Sequence, residues 1–219
     1  MGTIQEQFLN PPDDRFHYQL HGCLVSSNLE MTHSKVVERK IAQIDIHCIR
    51  DLDSKVQIAE LEVSSTSYGA EVRIPDIGIF TLTCSSIHGH VYSDAFAEPY
   101  VQGRLLALAL ELGDHTVLHG AALSSDRHSC FGILGSSGSG KSTLSAHLLK
   151  SGFDLLTDDL IPIFQNDLRR VVSTSSHLRL WKDSATAAGF DVEKLEQVHP
   201  VLEKYWVPAL NNVPAGESR

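Results

Sequence analysis

The run Gly135-Ser136-Ser137-Gly138-Ser139-Gly140-Lys141-Ser142 constrains this chain more than any other stretch. It fills every fixed position of the P-loop pattern G-x-x-x-x-G-K-[ST]. That pattern works only between a strand and a helix. Its glycines let successive main-chain N–H groups turn inward around a phosphate. The helix that follows points its positive end at the same phosphate. The flanks meet the requirement: Phe131-Gly132-Ile133-Leu134 reads as a buried strand, and Thr143 to Lys150 reads as a helix. Lys141 then supplies a mobile charge for the β- and γ-phosphates, and Ser142 offers a hydroxyl to Mg²⁺. The competing reading is a glycine-serine turn that fits by chance.

A second constellation lies 17 residues beyond Lys141, at Asp158-Asp159. A helix of about nine residues rises roughly 13 Å, so the chain can descend one helix and return as the next strand, Phe153 to Thr157. A right-handed β-α-β crossover brings the carboxyl end of that strand beside the P-loop mouth. One carboxylate there would hold Mg²⁺, and the other would accept a proton from an attacking hydroxyl, as phosphoryl transfer by a kinase requires. A regular strand would point the two side chains to opposite faces, so that both would not serve. The alternative is a solvated turn. His119 sits in the preceding strand, Thr116 to Leu123, and is either structural or placed near the phosphates.

Elsewhere the pattern is structural. Residues 16 to about 95 read as β-rich, with short runs at Phe16–Val25, Ala42–Ile49, Val56–Val63, Ala70–Ile74 and Ile77–Cys84. Clusters of Gly, Asp, Ser and Pro separate them. His88-Gly89-His90 lacks a third ligand nearby and reads as a strand or turn rather than half a metal site. Glu98-Pro99 opens a helix to about Leu112, with Pro99 in the first turn and Val101, Leu105, Leu108, Ala109 and Leu112 at helical spacing. Beyond the P-loop helix, short strands are expected at Leu160–Phe164, Arg170–Ser173 and His177–Trp181. A short helix is expected over Asp183–Gly189, capped by Asp183 or Ser184. From Pro208 the chain reads as loop.

A net charge of −9 speaks against a nucleic-acid partner, whose phosphates need a basic surface. Cys23, Cys48, Cys84 and Cys130 form no C-x-x-C and read as buried free thiols of a reducing compartment. Met1 to Arg15 lacks a secretory signal pattern, and Glu6 occupies the position where myristoylation wants Ser or Thr. The longest apolar stretch, Leu105–Leu110, is far too short to span a membrane. The expectation is a cytoplasmic protein with no membrane contact.

Taken in order, Leu118-His119-Gly120-Ala121-Ala122-Leu123, Gly135 to Thr143 and Leu155-Leu156-Thr157-Asp158-Asp159-Leu160 resemble the HPr kinase/phosphorylase family, whose nucleotide fold is similar to that of phosphoenolpyruvate carboxykinase. The resemblance covers about residues 100 to 180. Phe16-His17-Tyr18-Gln19-Leu20-His21-Gly22 and Leu178-Arg179-Leu180-Trp181 resemble HPr-kinase-like proteins of lasso-peptide biosynthesis, which are implied to phosphorylate a serine of a precursor peptide. The resemblance implies ATP binding by Gly135, Ser136, Ser137, Gly138, Ser139, Gly140, Lys141, Ser142 and Thr143. It implies catalytic roles for Asp158, as base, and for Asp159 and His119, with Mg²⁺ on Ser142 and Asp159. The chain departs from the family in carrying Lys-Ser-Thr where HPr kinases usually have Lys-Ser-Glu. It also lacks the C-terminal loop that contacts HPr and the later core strands.

The resulting expectation is an α/β chain: a P-loop core of the HPr kinase/phosphoenolpyruvate carboxykinase type over 98–219, either trimmed or part of a longer kinase, behind a β-rich region over 1–97. That region would bind the acceptor or assemble homo-oligomers. The activity expected is transfer of the γ-phosphoryl group of ATP to a serine hydroxyl of a peptide or small protein. A non-catalytic nucleotide-binding regulatory module and a small-molecule kinase are the alternatives.

Overall fold

The computed structural model describes residues 15–21, 23–31, 35–36, 43–51, 58, 60–92, 94–126, 129–163, 171–172, 177–199, 202–209 and 217–218. It is mixed α/β and rich in sheet. Among the described residues the N-terminal half supplies eight strands: β1 (Phe16–Leu20), β2 (Cys23–Ser27), β3 (Lys35–Val36), β4 (Ile44–Arg50), β5 (Glu62–Ser65), β6 (Ala70–Ile74), β7 (Gly78–Leu82) and β8 (Ser86–Val91). They form one sheet in the order β3-β1-β2-β4-β8-β7-β6-β5. Pairing is antiparallel except for β2–β4 and β4–β8. Side chains of a strand alternate between faces, and the sequence alternates accordingly. Ile44, Ile46 and Cys48 of β4 are buried, as are Ile87 and Val91 of β8, while His88 and His90 take the other face. The expected strand Phe16–Val25 is a hairpin broken at His21. Of the run Val56–Val63, only Glu62 and Val63 fall in a strand, and residues 52–57 and 59 lie outside the described set.

One helical segment covers the buried face. It starts at Asp94, earlier than the sequence suggests, as α1 (Asp94–Tyr100), with Pro99 inside rather than in its first turn. Proline brings no N–H to the ladder. The next turn, Val101–Leu105, is a π-helix, and α2 (Leu106–Leu112) resumes the regular pitch. Ala97, Val101, Leu105, Leu106, Ala109 and Leu110 share one core with Tyr18, Ile46, Phe80 and Ile87. The surface this helix packs on is therefore the N-terminal sheet.

The C-terminal half begins with β9 (Thr116–Ser124), β10 (Cys130–Leu134), α3 (Lys141–Lys150), β11 (Asp154–Thr157) and β12 (Leu160–Ile163). The β10-α3-β11 connection spans one intervening strand. β9 lies between β10 and β11 and runs antiparallel to both, so β10, which leads into the Gly135–Gly140 loop, and β11, which ends at the aspartates, run parallel but are not neighbours. Among the described residues β10 is also an edge strand, with Phe131, Gly132 and Leu134 exposed, not a buried one. Next come β13 (Val171–Val172), β14 (His177–Trp181), α4 (Lys182–Ala187), a 3₁₀ turn (Val192–Lys194), β15 (Gln197–His199), β16 (Leu202–Pro208) and β17 (Glu217–Ser218). The strands β14-β16-β15 form a small sheet, and β13 pairs with β17. The expected strand ends at Phe164, Arg170 and Ser173 lie outside the described residues, as do residues 1–14 and 210–216. Leu123, Ala146, Leu149 and Leu155 bury against Leu178, Leu180, Ala185 and Val207, so α3 and the β14 sheet share a second core.

Three smaller expectations change. Neither Asp183 nor Ser184 caps α4: Trp181 precedes it in extended conformation with no side-chain cap. Cys84 is exposed, and Cys130 is half-buried; only Cys23 and Cys48 are buried thiols. The loop expected from Pro208 begins after it, since β16 ends at Pro208, and Glu217–Ser218 are strand. Among the described residues no helix is long and apolar enough to cross a membrane.

Candidate functional site

The loop Gly135–Gly140 joins the end of β10 to the start of α3, and all six residues are exposed. Gly138 and Gly140 have φ of +78° and +87°, a region in which a side chain would clash with its own backbone. Lys141 opens α3 and folds back over the loop. Its ammonium donates to the carbonyl oxygens of Gly135 (2.8 Å) and Ser136 (2.9 Å). The Ser139 N–H donates to Ser136 O at 3.2 Å, tightening the same turn. Ser142 and Thr143 follow in the first turn, half-buried. The Thr143 hydroxyl bonds the Ser184 hydroxyl at 2.9 Å, tying the loop helix to α4.

Asp158 and Asp159 separate β11 from β12, and both strands pair with β9. A regular strand would have sent the two carboxylates to opposite faces. Instead Asp159 takes φ +68°, which breaks the alternation. The Leu160 N–H turns back to Asp158 O at 2.9 Å, and the Gly120 N–H donates to Asp159 O at 3.1 Å. Both carboxylates then meet one guanidinium. Arg179 of β14 ion-pairs with Asp159 through Nη2 and lies 3.7 Å from Asp158 through Nε. Its main-chain N–H donates to Asp158 Oδ2 at 2.9 Å.

Gly120 is the hinge of the geometry. On one side it pairs with Leu134, the last residue before the loop; on the other it bonds Asp159. Two strand spacings of about 4.8 Å put the two backbones roughly 10 Å apart. A Cβ at Gly120 would lie 2.4 Å from Ile133 O, so only glycine allows this approach. His119, exposed, places Nδ1 3.1 Å from Asp159 O. The three aspartate and histidine positions singled out in the sequence thus meet at one place, one strand away from the loop.

The two carboxyls differ in electrostatics. Burial, with the neighbouring Asp159 next, raises Asp158 to about 6, against the opposing pull of Arg179. Burial raises Asp159 too, but Arg179, Lys204, His119 and His21 outweigh it and hold its carboxyl below the usual range. One group is thereby poised to take up a proton, and the other stays ionised. Sequence reasoning missed Arg179, Lys204 and His21 as members of this site. The signal for Arg179 was its position between Leu178 and Leu180: an arginine inside an alternating apolar strand needs an acid to face.

The donor types at Ser142 and Asp159 suit a hard cation such as Mg²⁺. Among the described residues, no group of three or more His, Cys, Asp or Glu side chains is arranged to hold a metal ion by itself. A cation here would therefore rely on nucleotide phosphates and water for its remaining ligands. Compared with protein-family models, curated proteins and solved structures, the chain matches none.

Proposed function

We propose that this chain is an ATP-dependent kinase of the HPr-kinase-like type, which moves the γ-phosphoryl group to a serine hydroxyl of a peptide or small protein. The observation that carries this reading is the pairing of a complete P-loop with two unlike carboxyls across Gly120. A pure nucleotide binder has no need of a carboxyl raised toward neutrality beside its phosphate loop.

In this reading the loop amides, Lys141 and Thr143 hold ATP, and Lys141 exchanges its bonds to Gly135 and Ser136 for phosphate oxygens. Mg²⁺ held by Ser142 and Asp159 would neutralise charge on the β- and γ-phosphates. Asp158 accepts the proton of the serine hydroxyl as its oxygen bonds to the γ-phosphorus. The bond from that phosphorus to the β–γ bridging oxygen breaks, and ADP leaves. His119 stands beside Asp159 near the reacting phosphate. The N-terminal sheet is assigned to acceptor recognition or self-assembly.

A second reading, a nucleotide-binding regulatory module without turnover, is favoured by one observation: Arg179 engages both carboxylates. Incubation with γ-labelled ATP, Mg²⁺ and serine-bearing peptides, lasso-precursor-like sequences among them, separates the two. The kinase reading expects label on serine with wild type and its loss with Asp158→Asn. ATP binding without transfer to any acceptor would favour the module.

A further inference from the structure

We propose that His21 is a positioning residue for the aspartate pair: it carries the β1–β2 turn of the N-terminal sheet onto the break between β11 and β12 and holds the two together. His21 is nearly buried, at 8% exposure, and takes φ +46°. A non-glycine residue seldom takes that region and persists there only where its surroundings over-determine it. What determines it here is the far half of the chain.

The His21 Nδ1 lies 3.3 Å from the Thr157 hydroxyl, 136 residues away in sequence. That hydroxyl donates to Leu160 O at 2.8 Å. Thr157 and Leu160 flank Asp158-Asp159, so this bond clamps the ends of the break. The hydroxyl proton is committed to Leu160, so the imidazole supplies the proton of the His21–Thr157 bond. The main-chain carbonyls of Leu160 and of Gln102, in the π-helical turn, also lie within hydrogen-bonding reach of the ring. One side chain therefore touches its own sheet, the helix that covers that sheet, and the clamp around the aspartates. The charged groups facing it are Arg179 and Asp159, the same pair that forms the ion bridge. His21 contacts Thr157, not a reacting group, so its part is to place the carboxylates.

The inference rests on the kinase reading only where it calls the aspartates the reacting pair; the placement is measurable without nucleotide. Amide hydrogen exchange on the full chain reports the Gly120, Leu160 and Arg179 N–H groups, which bond Asp159 O, Asp158 O and Asp158 Oδ2. The Asp45 and Asp51 N–H groups of the N-terminal sheet serve as controls. His21→Ala is expected to speed the first three by about tenfold or more and the controls by less than about twofold. His21→Gln, which returns a donor, should restore slow exchange, whereas His21→Phe, which returns only bulk, should not. Unchanged exchange at the three amides, an equal rise at the controls, or rescue by His21→Phe alone would overturn the proposal. Should His21→Ala fail to fold, Thr157→Val removes the same bond from the other side and must speed the same three amides; if they stay slow, the proposal fails. Loss of phosphoryl transfer in wild type would remove the kinase reading and leave this result standing.

Discussion

The main-chain N–H of Arg179 donates to Oδ2 of Asp158 at 2.9 Å, so the strand carrying the arginine is fastened to one of the carboxylates that its guanidinium neutralises. Arg179 is 11% exposed and Asp158 5%. Removing one member of a buried charged set leaves the rest uncompensated and costs about 3–5 kcal/mol. Arg179→Met should therefore lower unfolding stability by about 3 kcal/mol in urea titration. Arg179→Lys should lose less, since an ammonium keeps the charge but not the fork. A loss below about 0.5 kcal/mol for Arg179→Met would show that water, not the arginine, compensates the pair.

Asp158 and His21 make stability depend on pH with opposite signs. Burial, then Asp159, raises Asp158 to about 6, above the ~3.9 of an unfolded chain. The folded state binds this proton more tightly, so the stability it contributes is present below about pH 4 and is lost as pH rises through about 6. Burial, then Arg179, lowers His21 to about 4, below the ~6.5 of an unfolded chain. Its contribution is present above about pH 6.5 and is lost as pH falls through about 4. Asp158→Asn should thus be more stable than wild type at pH 7 and lose that advantage at pH 4, as read by thermal midpoints. An equal advantage at both values would mean that Asp158 does not titrate in this window. On the proposed kinase reading, the same variant should lower phosphoryl transfer by about 10²–10⁴, the range for losing a general base.

Gly120→Ala tests the close approach between loop and aspartates. The added Cβ would lie 2.4 Å from Ile133 O and 2.7 Å from Leu134 Cδ2, so β10 must move away from β9. Forcing a methyl into a packed site typically costs about 1–3 kcal/mol. The expected result is that loss together with weaker ATP binding by calorimetry. Wild-type stability and affinity would contradict the spacing described for this site.

Lys141→Ala tests the loop itself. The lysine bonds only loop carbonyls, at Gly135 and Ser136, among the contacts described for its ammonium. Its removal should therefore alter the fold little and remove most affinity for ATP·Mg²⁺. ATP at about 100 times its Kd should stabilise wild type by about 2.7 kcal/mol and the variant far less. Equal affinity in the two proteins would sink the P-loop assignment.

The amino-acid sequence by itself determined the local elements of the site. Glycines at 138 and 140, the apolar run before them and the helical run after them specify strand, loop and helix without help from the rest of the chain. The paired aspartates were legible at the end of β11 for the same reason: a short apolar strand must end where charges begin. What surrounds them was decided by tertiary structure. The insertion of β9 between β10 and β11 is a choice of strand order, and strand order leaves no periodic trace in sequence. The turn of Asp159 into φ +68° is held by a local bond from the Leu160 N–H to Asp158 O and by one from the Gly120 N–H that exists only once β9 is in place. Arg179 reaches Asp159 from 20 residues away in the chain, and His21 reaches Thr157, next to the pair, from 136. Contacts at such separations are set by packing of whole sheets, so the sequence specifies the groups and only the folded chain brings them to one another.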